Sequence, residues 1–213
     1  MSRKTLFTLF FFLAAACAFA KGGTDARAIL DKTAKTIRSA GDMEIQFKAS
    51  SFMSEKQKGG MKGTLYMKGK KFHLVSPNMI CWYDGSSLWS MNNETKEVNL
   101  STPSNSEKQS MNPYLFVDMY KKGYTYSLGE TTLRGKQCYE VTLTADSKKR
   151  DVQEMILTID KSSHMPLCVR MRQGNSYWVR LSVLNYKTQQ KYAADKFQFN
   201  NKDYPTATII DIR

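Results

Sequence analysis

The hydrophobic spacing of this chain changes period once, near residue 41. Before that point Thr24-Asp25 supplies an N-cap, Ile29, Leu30, Ala34 and Ile37 share one helical stripe, and Gly41 supplies a stop. This predicts an amphipathic helix over about 25–40. Beyond it the period is two. Glu44–Lys48 alternates, Gly63–Lys68 is a β-run, and Phe72–Val75 follows a Gly-Lys-Lys turn. Ile80–Tyr83 and Leu88–Met91 flank Asp84-Gly85-Ser86-Ser87, a hairpin signature because Asp-Gly readily adopts positive φ. A polar, turn-rich stretch at 101–112 breaks the pattern. Asn112-Pro113 and Gly123 then bracket a predicted short helix over about 113–122, with Leu115, Phe116, Met119 and Tyr120 as its apolar face. Strands resume at Tyr124–Leu128, Gln137–Thr144, Glu154–Asp160, Leu167–Gln173 and Tyr177–Tyr186, and a Thr208–Ile212 run closes the chain. The expected fold is mainly β with short helices (α+β): a single curved antiparallel sheet, with helices against one face.

Alternation on nearly every strand makes one face apolar. Leu65, Met67, Phe72, Leu74, Ile80, Trp82, Trp89, Met91, Val141 and Leu157 are assigned to it as candidate binding residues. Helices of ten to sixteen residues reach roughly 15–24 Å at ~1.5 Å per residue. They cannot cover about ten strands at ~4.8 Å spacing unless the sheet curls around them. A curled, part-open sheet with an incompletely filled apolar interior meets that condition and would bind apolar ligands. A closed barrel filled by its own side chains fits the same alternation. Met67, Met91, Met119 and Met155 fall on the inner face, where methionine serves either as core filler or as an adaptable contact for varied ligands.

The first twenty residues set the compartment. Arg3 and Lys4 precede an apolar run from Leu6 to Phe12 broken only by Thr8. Ala18-Phe19-Ala20 places small side chains before a cleavage site, so residues 1–20 read as an export signal and 21–213 as one mature domain. Ala14-Ala15-Ala16-Cys17 is similar to a lipobox but lacks its Leu three before the cysteine, and cleavage after Ala20 is expected over lipidation of Cys17. The mature chain keeps 30 basic against 19 acidic groups, a net of +11 that favours anionic partners. Its longest basic run is only Lys148-Lys149-Arg150, which reads as solvated surface and argues against nucleic acid. Cys81, Cys138 and Cys168 are widely spaced with no Cys-x-x-Cys, so buried free thiols are expected, with a Cys138–Cys168 pair as the alternative.

Chemistry-bearing motifs are missing. His73 lies mid-strand and His164 in a Ser-Ser-His-Met-Pro turn, neither within a zinc-peptidase or hydrolase signature. No carboxylate dyad is readable from spacing, and no Gly-rich loop opens a helix. No catalytic residue, metal or cofactor is assigned, and a binding protein is expected rather than an enzyme.

The segments Gly63-Thr64-Leu65-Tyr66-Met67-Lys68, Lys71-Phe72-His73-Leu74, Ile80–Trp89 and Lys196-Phe197-Gln198-Phe199 together resemble the periplasmic outer-membrane lipoprotein carrier family LolA. The resemblance implies an unclosed half-barrel of about eleven strands with helices as a lid over an apolar cavity. It further implies a monomeric periplasmic carrier that takes lipoprotein acyl chains from an inner-membrane ABC lipoprotein exporter to an outer-membrane acceptor. Phe72 matches the family's cavity Phe, and Leu115, Phe116 and Met119 fall in its lid helix. The family's lid-latching Arg would fall near Gly69, where this chain has Lys68-Gly69-Lys70-Lys71, leaving a Lys as a weaker latch. The lipid-anchored receptor LolB shares the fold and is the alternative, decided by Cys17. The N-terminal domain of RseB-type stress sensors is also similar, but those chains carry a second domain.

Overall fold

The computed structural model describes residues 16–104, 107–108, 120–174 and 177–213. Helix α1 spans Ala16–Ser39. The predicted cap at Thr24-Asp25 therefore lies inside the helix. Gly22 and Gly23 each disfavour helix by only about 1 kcal/mol relative to Ala, too little to end it. Ala26, Leu30, Ala34 and Ile37 recur at helical spacing and are buried. Gly41, at φ +65°, turns the chain into the first strand.

Twelve strands build one sheet: β1 (Asp42–Met53), β2 (Lys56–Lys68), β3 (Lys71–Val75), β4 (Met79–Tyr83), β5 (Leu88–Asn92), β6 (Glu97–Ser101), β7 (Tyr124–Leu133), β8 (Lys136–Ala145), β9 (Val152–Asp160), β10 (Pro166–Gln173), β11 (Tyr177–Gln190) and β12 (Thr208–Asp211). Their spatial order is β12-β6-β5-β4-β3-β2-β1-β11-β10-β9-β8-β7, so among the described residues β12 and β7 are the edges and the sheet is not closed. Two meanders meet at the long central pair β1–β11. Among the described residues every pairing is antiparallel except the last, since β12 runs parallel to β6. That corrects the wholly antiparallel expectation. The chain crosses the outer side of the sheet between β11 and β12, and the crossing sets the entry direction of β12.

Local chemistry explains the turns. Asp84 accepts the backbone N–H groups of Ser86 and Ser87 at 2.9 and 2.8 Å, and Gly85 sits at φ +106°, which closes the predicted β4–β5 hairpin. Gly63 pairs with Phe47 across β1–β2. A Cβ there would lie 2.6 Å from the Val75 carbonyl oxygen and 2.9 Å from the Phe47 ring, so only glycine admits this approach of three strands.

The inner face of the sheet and α1 form one buried apolar cluster. A second cluster lies on the outer face, where Phe199, Tyr204 and Ala207 of the crossing segment cover Trp82, Met91 and Val98. Cys81, Cys138 and Cys168 are buried free thiols. Cys138 and Cys168 flank β9 from opposite sides. Two strand spacings, roughly 10 Å, exceed the ~7 Å that a disulfide tolerates between Cα atoms. Of the predicted helix over 113–122, Leu115, Phe116 and Met119 lie outside the described residues. Tyr120 and Lys121 form a turn.

Candidate apolar binding face

Register, more than residue size, decides which side chains share the inner face. Leu65 pairs with Leu74 and Met67 with Phe72 across β2–β3, while Val141 pairs with Leu157 across β8–β9. These six assigned residues all belong to the inner cluster, with Phe72, Val141 and Leu157 fully buried. The same face holds Ile45, Phe47, Val169 and Met171, which the sequence reading did not assign. A signal for Phe47 was present in the alternation of Glu44–Lys48. Val169 sits in a run apolar on both faces, where alternation is silent.

Ile80, Trp82, Trp89 and Met91 are on the opposite side, in the outer cluster. Phe72 faces Tyr83 and Leu74 faces Cys81, so Cys81 and Tyr83 point inward and Ile80 and Trp82 outward. Trp82 pairs with Trp89, and Ile80 with Met91, which carries the outward phase into β5. The segment Ile80-Cys81-Trp82-Tyr83 is apolar at every position, so it has no phase of its own to read.

This outer side is aromatic. The His73 ring stacks on Trp82 at 5.3 Å, and Phe199 and Tyr204 meet Trp82 edge-on at 5.4 and 5.3 Å. Tyr66 lies 5.6 Å from His73, and the Lys196 ammonium sits 3.7 Å above the Tyr66 ring. Neither nitrogen of His73 has a hydrogen-bond partner. Burial first, and the charge of Lys196 second, hold its pKa down to about 4. His73 is thus a neutral packing element.

The cover over the inner face is fastened by tyrosines. α1 lies along β7. Tyr120, fully buried, donates its hydroxyl to the Asp31 carboxylate on α1, and its own carbonyl accepts the hydroxyl of Tyr126 on β7. Burial, with the Asp31 carboxylate adding to it, pushes the Tyr120 phenol above its ordinary range. Of the lysines beside Gly69, Lys68 is engaged at the start of the outer crossing segment. Lys68 sits 3.3 Å from the Asp42 carboxylate and donates to the Tyr192 carbonyl, while Asp42 accepts the Tyr192 N–H at 3.0 Å. Lys68 therefore ties down the start of the outer crossing segment.

An unclosed sheet with one apolar face under a helix is the setting for the comparisons with known proteins. A family profile described as outer membrane lipoprotein carrier protein LolA matches residues 16–175. The chain belongs to this LolA family. An uncharacterized conserved protein of Thermus thermophilus has the same fold, with a TM-score of 0.57 at 12% identity over 88% of this chain and 99% of that one. A DUF1329 family protein of Desulfovibrio piger gives a TM-score of 0.49 at 13% identity, covering 83% of this chain and 97% of its own. A LolA superfamily protein of Nitrosomonas europaea gives 0.45 at 12% identity, covering 84% and 98%. No curated protein matches the chain in sequence. Phe72, matched by resemblance to the cavity phenylalanine of LolA proteins, is fully buried on the inner face, paired with Met67 and Tyr83.

Proposed function

We propose that this protein is a periplasmic carrier that shelters lipoprotein acyl chains against the inner face of its sheet and shuttles them from the inner to the outer membrane. The observation that carries this reading is the continuity of that face. Apolar side chains run without a charged interruption from Leu65 and Phe72 through Phe47 and Leu181 to Leu157 and Val141, and what covers them includes one helix and Tyr120. An acyl chain gains about 0.8 kcal/mol for each methylene it buries, and a helix held at one sheet edge can yield without breaking a strand pairing. The family supports lipid or lipoprotein binding of this kind. By the same resemblance, the delivering partner is an inner-membrane ABC lipoprotein exporter and the receiving one an outer-membrane acceptor. Binding and release through apolar contact need no catalytic group, so the protein acts as a carrier and not as an enzyme.

The test is native mass spectrometry of protein recovered from the envelope of its host. Co-purified lipoprotein or acyl lipid supports the reading. Val141→Trp, which overfills the inner face at a cost of about 1–3 kcal/mol, should abolish that cargo in the fraction that keeps the native circular dichroism. An empty protein, or cargo retained by the folded variant, would overturn it.

A further inference from the structure

One end of the sheet, at the tips of β1 and β11, gathers exposed apolar and basic side chains. The pairings Lys56–Met53, Met53–Tyr177, Tyr177–Gln173 and Gln173–Val152 bring the turns after β1, β8 and β10 to the same end. Met53 and Tyr177, side by side there, are 47% and 37% exposed. On the opposite face Phe52 pairs with Trp178, with the Arg180 guanidinium 4.8 Å over Phe52 and Arg172 5.9 Å over Trp178. These residues line an outer groove of about 700 Å³.

Next to the groove, Lys48, Lys58 and Lys62 rim a shallow depression of about 440 Å³. Lys48 and Lys62 stand directly opposite each other across β1–β2, an arrangement that like charges destabilise. Lys58 is the extra residue of a β-bulge, where Ser51 pairs with Gly59 and Phe52 with Gln57. Among the described residues, no carboxylate lies within ion-pair distance of these lysines or of Arg180, and Lys148 and Lys149 in the turn after β8 are likewise exposed and unpaired. Of the nearby acids, Asp146 is taken up by Arg150 and Glu154 by Arg172, while Glu55 and Asp151 are exposed in the turns.

We propose that this end of the sheet docks on a bilayer surface rich in anionic lipid. Met53 and Tyr177 at the tip enter the headgroup layer, and Lys58, Lys148 and Lys149 at the same end meet lipid phosphates. The cations stand on flexible stems at a strand bulge and in a turn, and the forked arginines Arg170 and Arg172 are already held by Glu140 and Glu154. A fluid surface of phosphates satisfies such a pattern without shape, whereas an acidic protein would need fixed forks aimed at it. Tyr and Trp, apolar with one polar tip, suit the same boundary.

Cosedimentation of the envelope-purified protein with vesicles tests this. Vesicles of phosphatidylcholine alone should leave it in solution. Those with about one third phosphatidylglycerol should pellet it at low salt and release it at about 0.5 M salt. Replacing Lys58, Lys148 and Lys149 together by Gln should weaken partitioning about a hundredfold, near fivefold for each charge. Met53→Ser with Tyr177→Ser should weaken it as well, and all five positions are exposed, so melting should not change. Val141→Trp should leave vesicle binding intact, which separates this face from the cargo reading. Equal binding to both kinds of vesicle, a triple variant that binds as the parent does, or capture by soluble polyglutamate without any vesicle binding would overturn the assignment.

Discussion

Replacing Tyr120 by Phe keeps the buried ring and removes only the hydroxyl that ties it to Asp31 on α1. A hydrogen bond to a charged group contributes about 1.5–3 kcal/mol when both partners are sheltered. Tyr120 is fully buried but Asp31 is exposed and regains water once released. The expected loss is therefore at the lower end, about 1–1.5 kcal/mol. The bond from Tyr126 to the Tyr120 carbonyl involves backbone and survives the substitution. For a domain of this size the loss corresponds to a fall in Tm of about 3 °C. If the bond holds α1 against the sheet, the open population should rise about five- to tenfold, read as faster amide hydrogen exchange along α1 and β7 with the central strands unchanged. A double-mutant cycle with Asp31→Ala isolates the pair, and the predicted coupling is about 1 kcal/mol. Additivity within about 0.3 kcal/mol, or exchange that accelerates uniformly across β1 and β11, would refute the latch.

Other outcomes follow from single sites. His73 has a folded pKa of about 4, below its ordinary value of 6.5, so the unfolded chain takes the proton first. Stability is then full above pH 6.5 and falls as the pH drops towards 4, by about 2 kcal/mol after allowing for the partial exposure of the ring. Urea titrations at neutral and acidic pH should show this slope, and His73→Phe should flatten it. Gly63→Ala forces a methyl against the Val75 carbonyl and the Phe47 ring. It should cost about 1–3 kcal/mol in chemical denaturation, and a neutral result would mean that β1–β3 relax freely. Leu157→Ala, at a fully buried inner position, should cost about 2–5 kcal/mol. A smaller loss would mean that the inner face is already loosely packed there.

Within a single strand, much could be read directly. The alternation at Leu65–Met67, Phe72–Leu74 and Val141–Leu143 named the right side chains because each strand is polar on its other face. The Asp84-Gly85 turn and the stripe of Leu30, Ala34 and Ile37 were equally local, set by the chemistry of a few neighbouring residues. The segment Ile80–Tyr83 was not legible in this way. It is apolar on both sides, so its inward phase comes only from the pairing of Phe72 with Tyr83 and Leu74 with Cys81. Its outward side is apolar because the segment after β11 returns to cover Trp82, a contact between parts of the chain more than a hundred residues apart.

The fastening of the cover shows the same division. Sequence placed an amphipathic helix before the sheet, but the partner of Asp31 is Tyr120, 89 residues away. Lysines beside Gly69 looked available as a latch until Lys68 was found bound to Asp42 and Tyr192. Sequence by itself determined most element types, an apolar strand face and the resemblance to the family, while the open edges of the sheet came from the tertiary structure. Tertiary structure decided which of two apolar faces each short strand presents inward and which polar group holds the helix down. The reason is that periodicity is a property of neighbours along the chain, whereas strand phase and buried hydrogen bonds are settled by register between residues that meet only when the sheet has formed.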